Sequence, residues 1–76
     1  MREQIVQLMA SVFGVHTSEI EGGIVFGKFY KWDSLRHMNL IVALEEEFNI
    51  AFDEEEITDM LSLDLVVEIV KNKTQD

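Results

Sequence analysis

Apolar residues recur with a helical period in four stretches of the chain and lose it in one long stretch between the first and the second. Ile5, Leu8, Met9, Val12 and Phe13 stand at i, i+3, i+4, i+7 and i+8, which lines one face of a 3.6-residue repeat. Gly14 is well placed to end that helix in the left-handed conformation. From Val15 to Trp32 the period is gone: Gly22, Gly23 and Gly27 interrupt a scatter of Ile20, Ile24, Val25, Phe26, Phe29, Tyr30 and Trp32. A connection of that length inside a small domain is functional or is strapped down by its own side chains, and the aromatics favour strapping. Ile24-Val25-Phe26 has the composition of a strand, but no second strand offers itself, and a lone strand leaves its backbone groups unpaired. The segment is read as loop.

The period returns with Leu35, Met38, Ile41, Val42, Leu44 and Phe48, predicting a helix from about Ser34 to Phe48 with those residues on a broad core face and Asn49 as its stop. Asp53-Glu54-Glu55-Glu56 has the form of a capping box, in which Asp53 caps, Glu56 reaches back and the acids of the first turn complement the helix dipole. A short third helix carrying Ile57, Met60 and Leu61 follows. Ser62 caps the last helix, with Leu63, Val66, Val67 and Val70 as its stripe and Lys71 and Lys73 at the end that favours cations. Its β-branched residues weaken helix propensity slightly. No proline, repeat or low-complexity linker divides the 76 residues. The pattern predicts a single all-α domain over residues 1–76, a four-helix bundle with a long first loop and a short third helix, near the size at which one core just suffices.

Charge narrows the choice of partners. The chain carries 15 acidic and 6 basic residues, a net −9 at pH 7, and neither Lys nor Arg occurs between His37 and Val70. Nucleic acid and anionic membranes are bound through Lys and Arg meeting phosphates, so this surface repels both. It suits a protein partner with a basic patch, although acidic runs also serve simply as solvated helix faces. No basic segment precedes an apolar one at the start, and the longest apolar run, Leu40 to Leu44, is far too short for a bilayer. A soluble, cytoplasmic monomer is expected. There is no cysteine, which excludes disulfides and thiolate metal sites and leaves the chain without a thiol of its own.

The candidate chemistry gathers at Asp33-Ser34-Leu35. Asp33 is a good N-cap, its carboxylate accepting from first-turn N–H groups. Ser34 then falls at the first helical position and points outward beside the positive end of the dipole, where an attached phosphate gains about 0.3–1 kcal/mol at an exposed site. A helix-start serine with no further role is the plain alternative. His37, three residues on, shares the face and raises a serine–histidine pair with Asp33 or Glu45 as orienter. Such a nucleophile also needs an oxyanion hole and a substrate pocket, for which so short a chain has little scaffold, so no catalytic residue is assigned. His37 is read as a surface residue or part of a partner contact. His16 with Glu19 and Glu21 is short of ligands for a metal, and Asp53 to Glu56 lacks the alternating oxygens and glycine of a calcium loop. Phe29, Tyr30 and Trp32 either bury themselves against the bundle or shield something attached nearby, and packing is the default.

Asp33-Ser34-Leu35, the helix running on to Glu45-Glu46-Glu47-Phe48-Asn49-Ile50, and Ile57-Thr58-Asp59-Met60-Leu61-Ser62-Leu63 together resemble an acyl carrier protein over nearly the whole chain. The resemblance implies that Ser34, with Asp33 and Leu35 as its motif, bears a covalent 4′-phosphopantetheine moved from coenzyme A by a separate phosphopantetheinyl transferase. It implies a carrier that catalyses nothing itself and presents acyl thioesters to enzymes of fatty-acid, polyketide or related biosynthesis that have basic patches. With no cysteine present, the sulfur would arrive on the prosthetic group. The family's acidic recognition surface maps onto Glu45, Glu46, Glu47, Glu54, Glu55 and Asp59, with Arg36 and His37 beside the attachment site. Lys31-Trp32 before the motif and Arg36-His37 after it depart from the family's small and acidic residues there, softening the negative field and bearing on which partners are recognised. An aminoacyl or peptidyl carrier of the same fold, and an unmodified acidic interaction module, are the alternatives. Met9, Met38 and Met60, flexible side chains whose default role is packing, would ease any opening of the core to shelter an acyl chain.

Overall fold

Helix α1 (Arg2–Phe13) buries Ile5, Val6, Met9, Ala10 and Phe13, so its inner face is turned slightly from the predicted one: Val6 and Ala10 are in the core, and Leu8 and Val12 are half-buried at its edge. Gly14 ends it at φ 71°, and its N–H donates to the Ala10 carbonyl. A residue with a Cβ meets a steric penalty at that φ, which is why glycine stands there. The computed structural model describes residues 1–75; Asp76, the last position of the expected domain, lies outside the described residues.

The long connection is strapped, as its aromatics suggest. It contains one 3₁₀ turn, Thr17–Glu19, and then drives Ile20, Ile24 and Trp32 into the core. Trp32 packs against Phe13 at the end of α1, with ring centroids 5.6 Å apart, and takes Phe26 edge-on at 6.0 Å. Ile24-Val25-Phe26 forms no strand, yet it does find a partner. A single antiparallel bridge joins Val25 to Ser62, with Phe26 N–H donating to Leu61 at 2.8 Å and Leu63 N–H donating to Ile24 at 3.0 Å. The partner is the short link before the last helix, too brief to show a strand period of its own.

Helix α2 (Ser34–Phe48) starts and stops where the pattern predicts, with Asn49 left-handed at φ 54°. Its buried face is narrower than predicted and differently centred: His37, Leu40, Ile41 and Leu44 are inside, whereas Leu35, Met38 and Val42 are exposed by 71%, 48% and 53%. At 100° per residue the two sets lie on nearly opposite sides of the helix. Hydropathy merged two apolar arcs into one because a histidine stands at the centre of the buried arc.

Helix α3 (Glu54–Asp59) has the predicted capping box: Asp53 accepts from Glu56 N–H at 2.8 Å and Glu56 accepts from Asp53 N–H at 3.0 Å. Helix α4 (Leu63–Thr74) is capped by Ser62, buries Leu63, Val66 and Val70, and has Lys71 and Lys73 in its last turn. Lys73 reaches back to α3, its Nζ 2.9 Å from the Glu56 carboxylate. Met9 and Met60 are fully buried, while Met38 is half-exposed. Among the described residues no helix is long and apolar enough to cross a membrane.

The Asp53 N–H, and after it Lys73, holds the Glu56 carboxyl below the usual glutamate range. A carboxylate lowered in the folded state adds stability that is fully present above its unfolded pKa and is lost as pH falls through the folded one. Thermal midpoints measured downward from neutral pH should therefore decline through and below the ordinary carboxylate range. Glu56→Gln should flatten part of that decline; an unchanged profile would show that the capping box and the Lys73 pair contribute nothing.

Candidate functional site

The first turn of α2 builds the site. Asp33, extended at φ −112° and ψ −177°, accepts the Arg36 N–H at 2.8 Å on one oxygen and the Arg36 guanidinium at 2.8 Å on the other. The backbone bond first, and the guanidinium charge with it, keeps this carboxyl below the usual aspartate range. Asp33 is thus occupied as cap and ion-pair partner. Ser34 has no capping duty, and it is exposed at the first helical position. The N–H groups of Ser34 and Leu35 belong to the turn that has no intrahelical acceptors, so the hydroxyl sits at the electropositive end of a 15-residue helix. An exposed, uncommitted hydroxyl beside that end fits a phosphodiester, both in its freedom to form a new bond and in the sign of the local field.

His37 is not where the sequence suggested. Far from being a surface residue or partner contact, it is 7% exposed and spans two elements. Its Nδ1 lies 3.0 Å from Trp32 Nε1, and its Nε2 lies 2.8 Å from the Ile57 carbonyl oxygen. A carbonyl only accepts, so Nε2 carries the proton and the bare Nδ1 accepts the indole N–H. Both ring nitrogens are therefore engaged, and His37 has none free to act as a base for Ser34. The signal for this was in the sequence. With Asp33 as N-cap, Trp32 and His37 occupy the two positions of a hydrophobic staple, one before the cap and the other at the fourth helical residue. A buried indole also seeks an acceptor for its N–H.

The acidic candidates separate. Glu45 is half-buried and accepts the Phe52 N–H at 2.9 Å, which fixes the link between α2 and α3. Glu47 faces α1, where it accepts from the Gln4 amide at 3.1 Å. Glu46 is exposed, and so are Glu54, Glu55 and Asp59 on α3; Glu54 and Glu55 border a shallow concavity of about 610 Å³ with Asp53 and Thr58. The helical period places Glu46 with Leu35, Met38 and Val42, so an exposed apolar strip runs along α2 from beside Ser34 to an acidic end. Leu35, Met38 and Val42 were expected in the core and instead border the site. Tyr30, 68% exposed, donates its hydroxyl to Glu19 at 2.8 Å, and that bond, with the glutamate charge, raises the phenol above its usual range. Glu19 also takes the His16 N–H at 3.4 Å. Among the described residues no group of three potential ligands gathers to hold a metal.

Comparison with known proteins agrees with this geometry. The family model described as phosphopantetheine attachment site matches residues 3–70. The chain is 34% identical over 74 residues to an acyl carrier protein of Clostridium acetobutylicum, covering 97% of this chain and 96% of that one. It is 30% identical over 73 residues to an acyl carrier protein of Nitratidesulfovibrio vulgaris, covering 96% of each. A polyketide-8 synthase acyl carrier protein 2 of Streptomyces avermitilis is 29% identical over 75 residues, 99% of this chain and 86% of that one. With the match running through the capped start of α2 and on into α4, the chain belongs to the phosphopantetheine attachment site family of acyl carriers.

Proposed function

We propose that Ser34 is the residue that carries 4′-phosphopantetheine, and that the domain delivers acyl groups to enzymes which dock on the exposed strip of α2. The observation that carries this reading is the exposed Ser34 hydroxyl, free of capping duty because Asp33 performs it, at the positive end of α2. In the modification, Ser34 Oγ forms a bond to the phosphorus that bears the pantetheine of coenzyme A. The pyrophosphate P–O bond breaks, adenosine 3′,5′-bisphosphate leaves, and the hydroxyl proton passes to a base on the transferase. The attached arm supplies the thiol that holds an acyl group as a thioester. The protein's own residues place the arm: the Asp33–Arg36 pair fixes the turn, and the strip beside it gives a partner something to bind. Tethering raises the concentration of the acyl group at whichever enzyme the domain occupies.

The partner chemistry follows from the strip. Leu35, Met38 and Val42 offer apolar area that is already exposed, and Glu46 supplies an anionic end. An apolar groove bordered by Lys or Arg complements both. Val42→Asp is expected to raise the KM of the phosphopantetheinyl transferase by about tenfold, equivalent to about 1.4 kcal/mol, with kcat and the thermal midpoint little changed. An unaltered KM would move docking to another face.

The experiment that tests the attachment is intact mass after incubation with coenzyme A, magnesium and a broad-specificity phosphopantetheinyl transferase. A gain of one phosphopantetheinyl group, mapped by peptide analysis to Ser34, is the expected result. No gain from folded protein, with the transferase active on a control carrier, would overturn it.

A further inference from the structure

Two hydrogen bonds in series lie under the attachment segment. Trp32, 1% exposed, donates to His37 Nδ1 at 3.0 Å, and His37 Nε2 donates to the Ile57 carbonyl at 2.8 Å. Trp32 belongs to the loop entering Ser34, His37 to α2 and Ile57 to α3, so two bonds hold three elements in register. Phe26 closes the remaining side, 5.4 Å from the imidazole and 6.0 Å from the indole by ring centroids. Helix α3 is pinned a second time, by Lys73 on Glu56 at 2.9 Å.

The helical period puts Ser34 at the border between the buried and the exposed arcs of α2. Anything tethered there and turning inward would pass between α2 and α3, where it meets the His37–Ile57 bond. Parting the helices breaks that bond and strips a part-buried carbonyl and an imidazole N–H of their partners, for which an alkyl chain provides no substitute. A concavity of about 420 Å³ lies along α1 between Arg2 and Glu21, and the one of about 610 Å³ lies over the exposed acids of α3; neither is lined by His37 or Ile57. Outward of Ser34 the exposed strip of α2 leaves the arm free.

We propose, resting on Ser34 as the attachment residue, that Trp32 and His37 latch the bundle shut against its own cargo, so that the carrier presents acyl groups outside the core and serves short or polar ones that remain stable in water. The two residues act on cargo choice through packing and hydrogen bonding.

The test loads the protein from acetyl-coenzyme A and from octanoyl-coenzyme A with a tolerant phosphopantetheinyl transferase. Intact mass comes first: no gain with either donor rejects Ser34 attachment and this proposal with it. On the loaded forms, thioester cleavage by hydroxylamine is timed and referenced to the free acyl-coenzyme A, and the emission of Trp32, the chain's one tryptophan, is recorded. The expected result is referenced rates for the two cargoes within about two-fold of each other and matching emission spectra. Octanoyl cleavage about five-fold slower than acetyl, as when some four-fifths of the population is sheltered, would overturn the proposal while leaving the carrier reading intact. His37→Ala breaks the latch and should introduce that octanoyl-specific slowing, whereas His37→Gln, whose amide both accepts and donates, should behave as wild type. A folded His37→Ala protein without the slowing would overturn the role of His37; if that variant does not fold, the wild-type comparison alone decides.

Discussion

Ser34→Ala is expected to abolish the phosphopantetheinyl mass gain completely while leaving the fold untouched. Four serines are present, and their settings differ. Ser62 accepts the Leu65 N–H at 3.2 Å and caps α4. Ser18 lies in the 3₁₀ turn Thr17–Glu19, and Ser11 lies on α1 two residues before its end. Only Ser34 combines an exposed hydroxyl, the first position of a long helix and a neighbour that performs the capping. Modification should therefore vanish with this one oxygen rather than shift to another serine. Stability should barely respond, since an exposed substitution away from caps and core changes it by about 0.5 kcal/mol or less and alanine is a good helix former. Equal melting curves with a mass gain in the wild type alone are the expected outcome. A residual gain in the variant would place the attachment elsewhere, and a large loss of stability would reveal a structural duty that the geometry does not show.

Much of this was legible in the sequence because it rested on local rules. The Asp33 cap, the Asp53–Glu56 box, the Ser62 cap and the left-handed stops at Gly14 and Asn49 each depend on residues within one turn of each other. Asp33-Ser34-Leu35 was legible on those rules only as a capped helix start; the role given to Ser34 came from the resemblance of nearly the whole chain, because three residues alone recur by chance. The pattern failed where a long-range partner decided the outcome. His37 lies inside because the indole of Trp32 and the carbonyl of Ile57 satisfy its two nitrogens, and the Ile57 partner is twenty positions away. That one burial turned α2, exposing Leu35, Met38 and Val42. Val25 pairs with the Ser62 link across a separation that no strand period announces. Glu45 and Glu47, alike in sequence, part company because one meets the α2–α3 link and the other meets α1. Charge counting treats them as one acidic run, and only packing leaves Glu46 exposed at the end of the apolar strip of α2.

Trp32→Ala is expected to be the most damaging single change to the fold. The indole fills the space between Phe13, Phe26 and His37, with centroids 5.6, 6.0 and 5.9 Å away. Truncating so large a buried aromatic costs about 3–5 kcal/mol, and the bare Nδ1 of His37 loses its donor at a further cost of about 1–3 kcal/mol. A native stability of about 5–15 kcal/mol, taken at the low end for so small a core, is largely consumed. The variant should unfold or melt tens of degrees lower, as followed by circular dichroism because its tryptophan signal is gone. Trp32→Phe separates the two costs: it keeps most of the packing, loses only the donor, and should fall by about 1–3 kcal/mol in urea titration. Combining it with His37→Phe measures the coupling. If the indole–imidazole bond holds the loop to α2, the second substitution should cost less in the Trp32→Phe background than alone, because the acceptor it removes is already unpaired there. Strict additivity would show that packing alone, and not the bond, makes Trp32 indispensable.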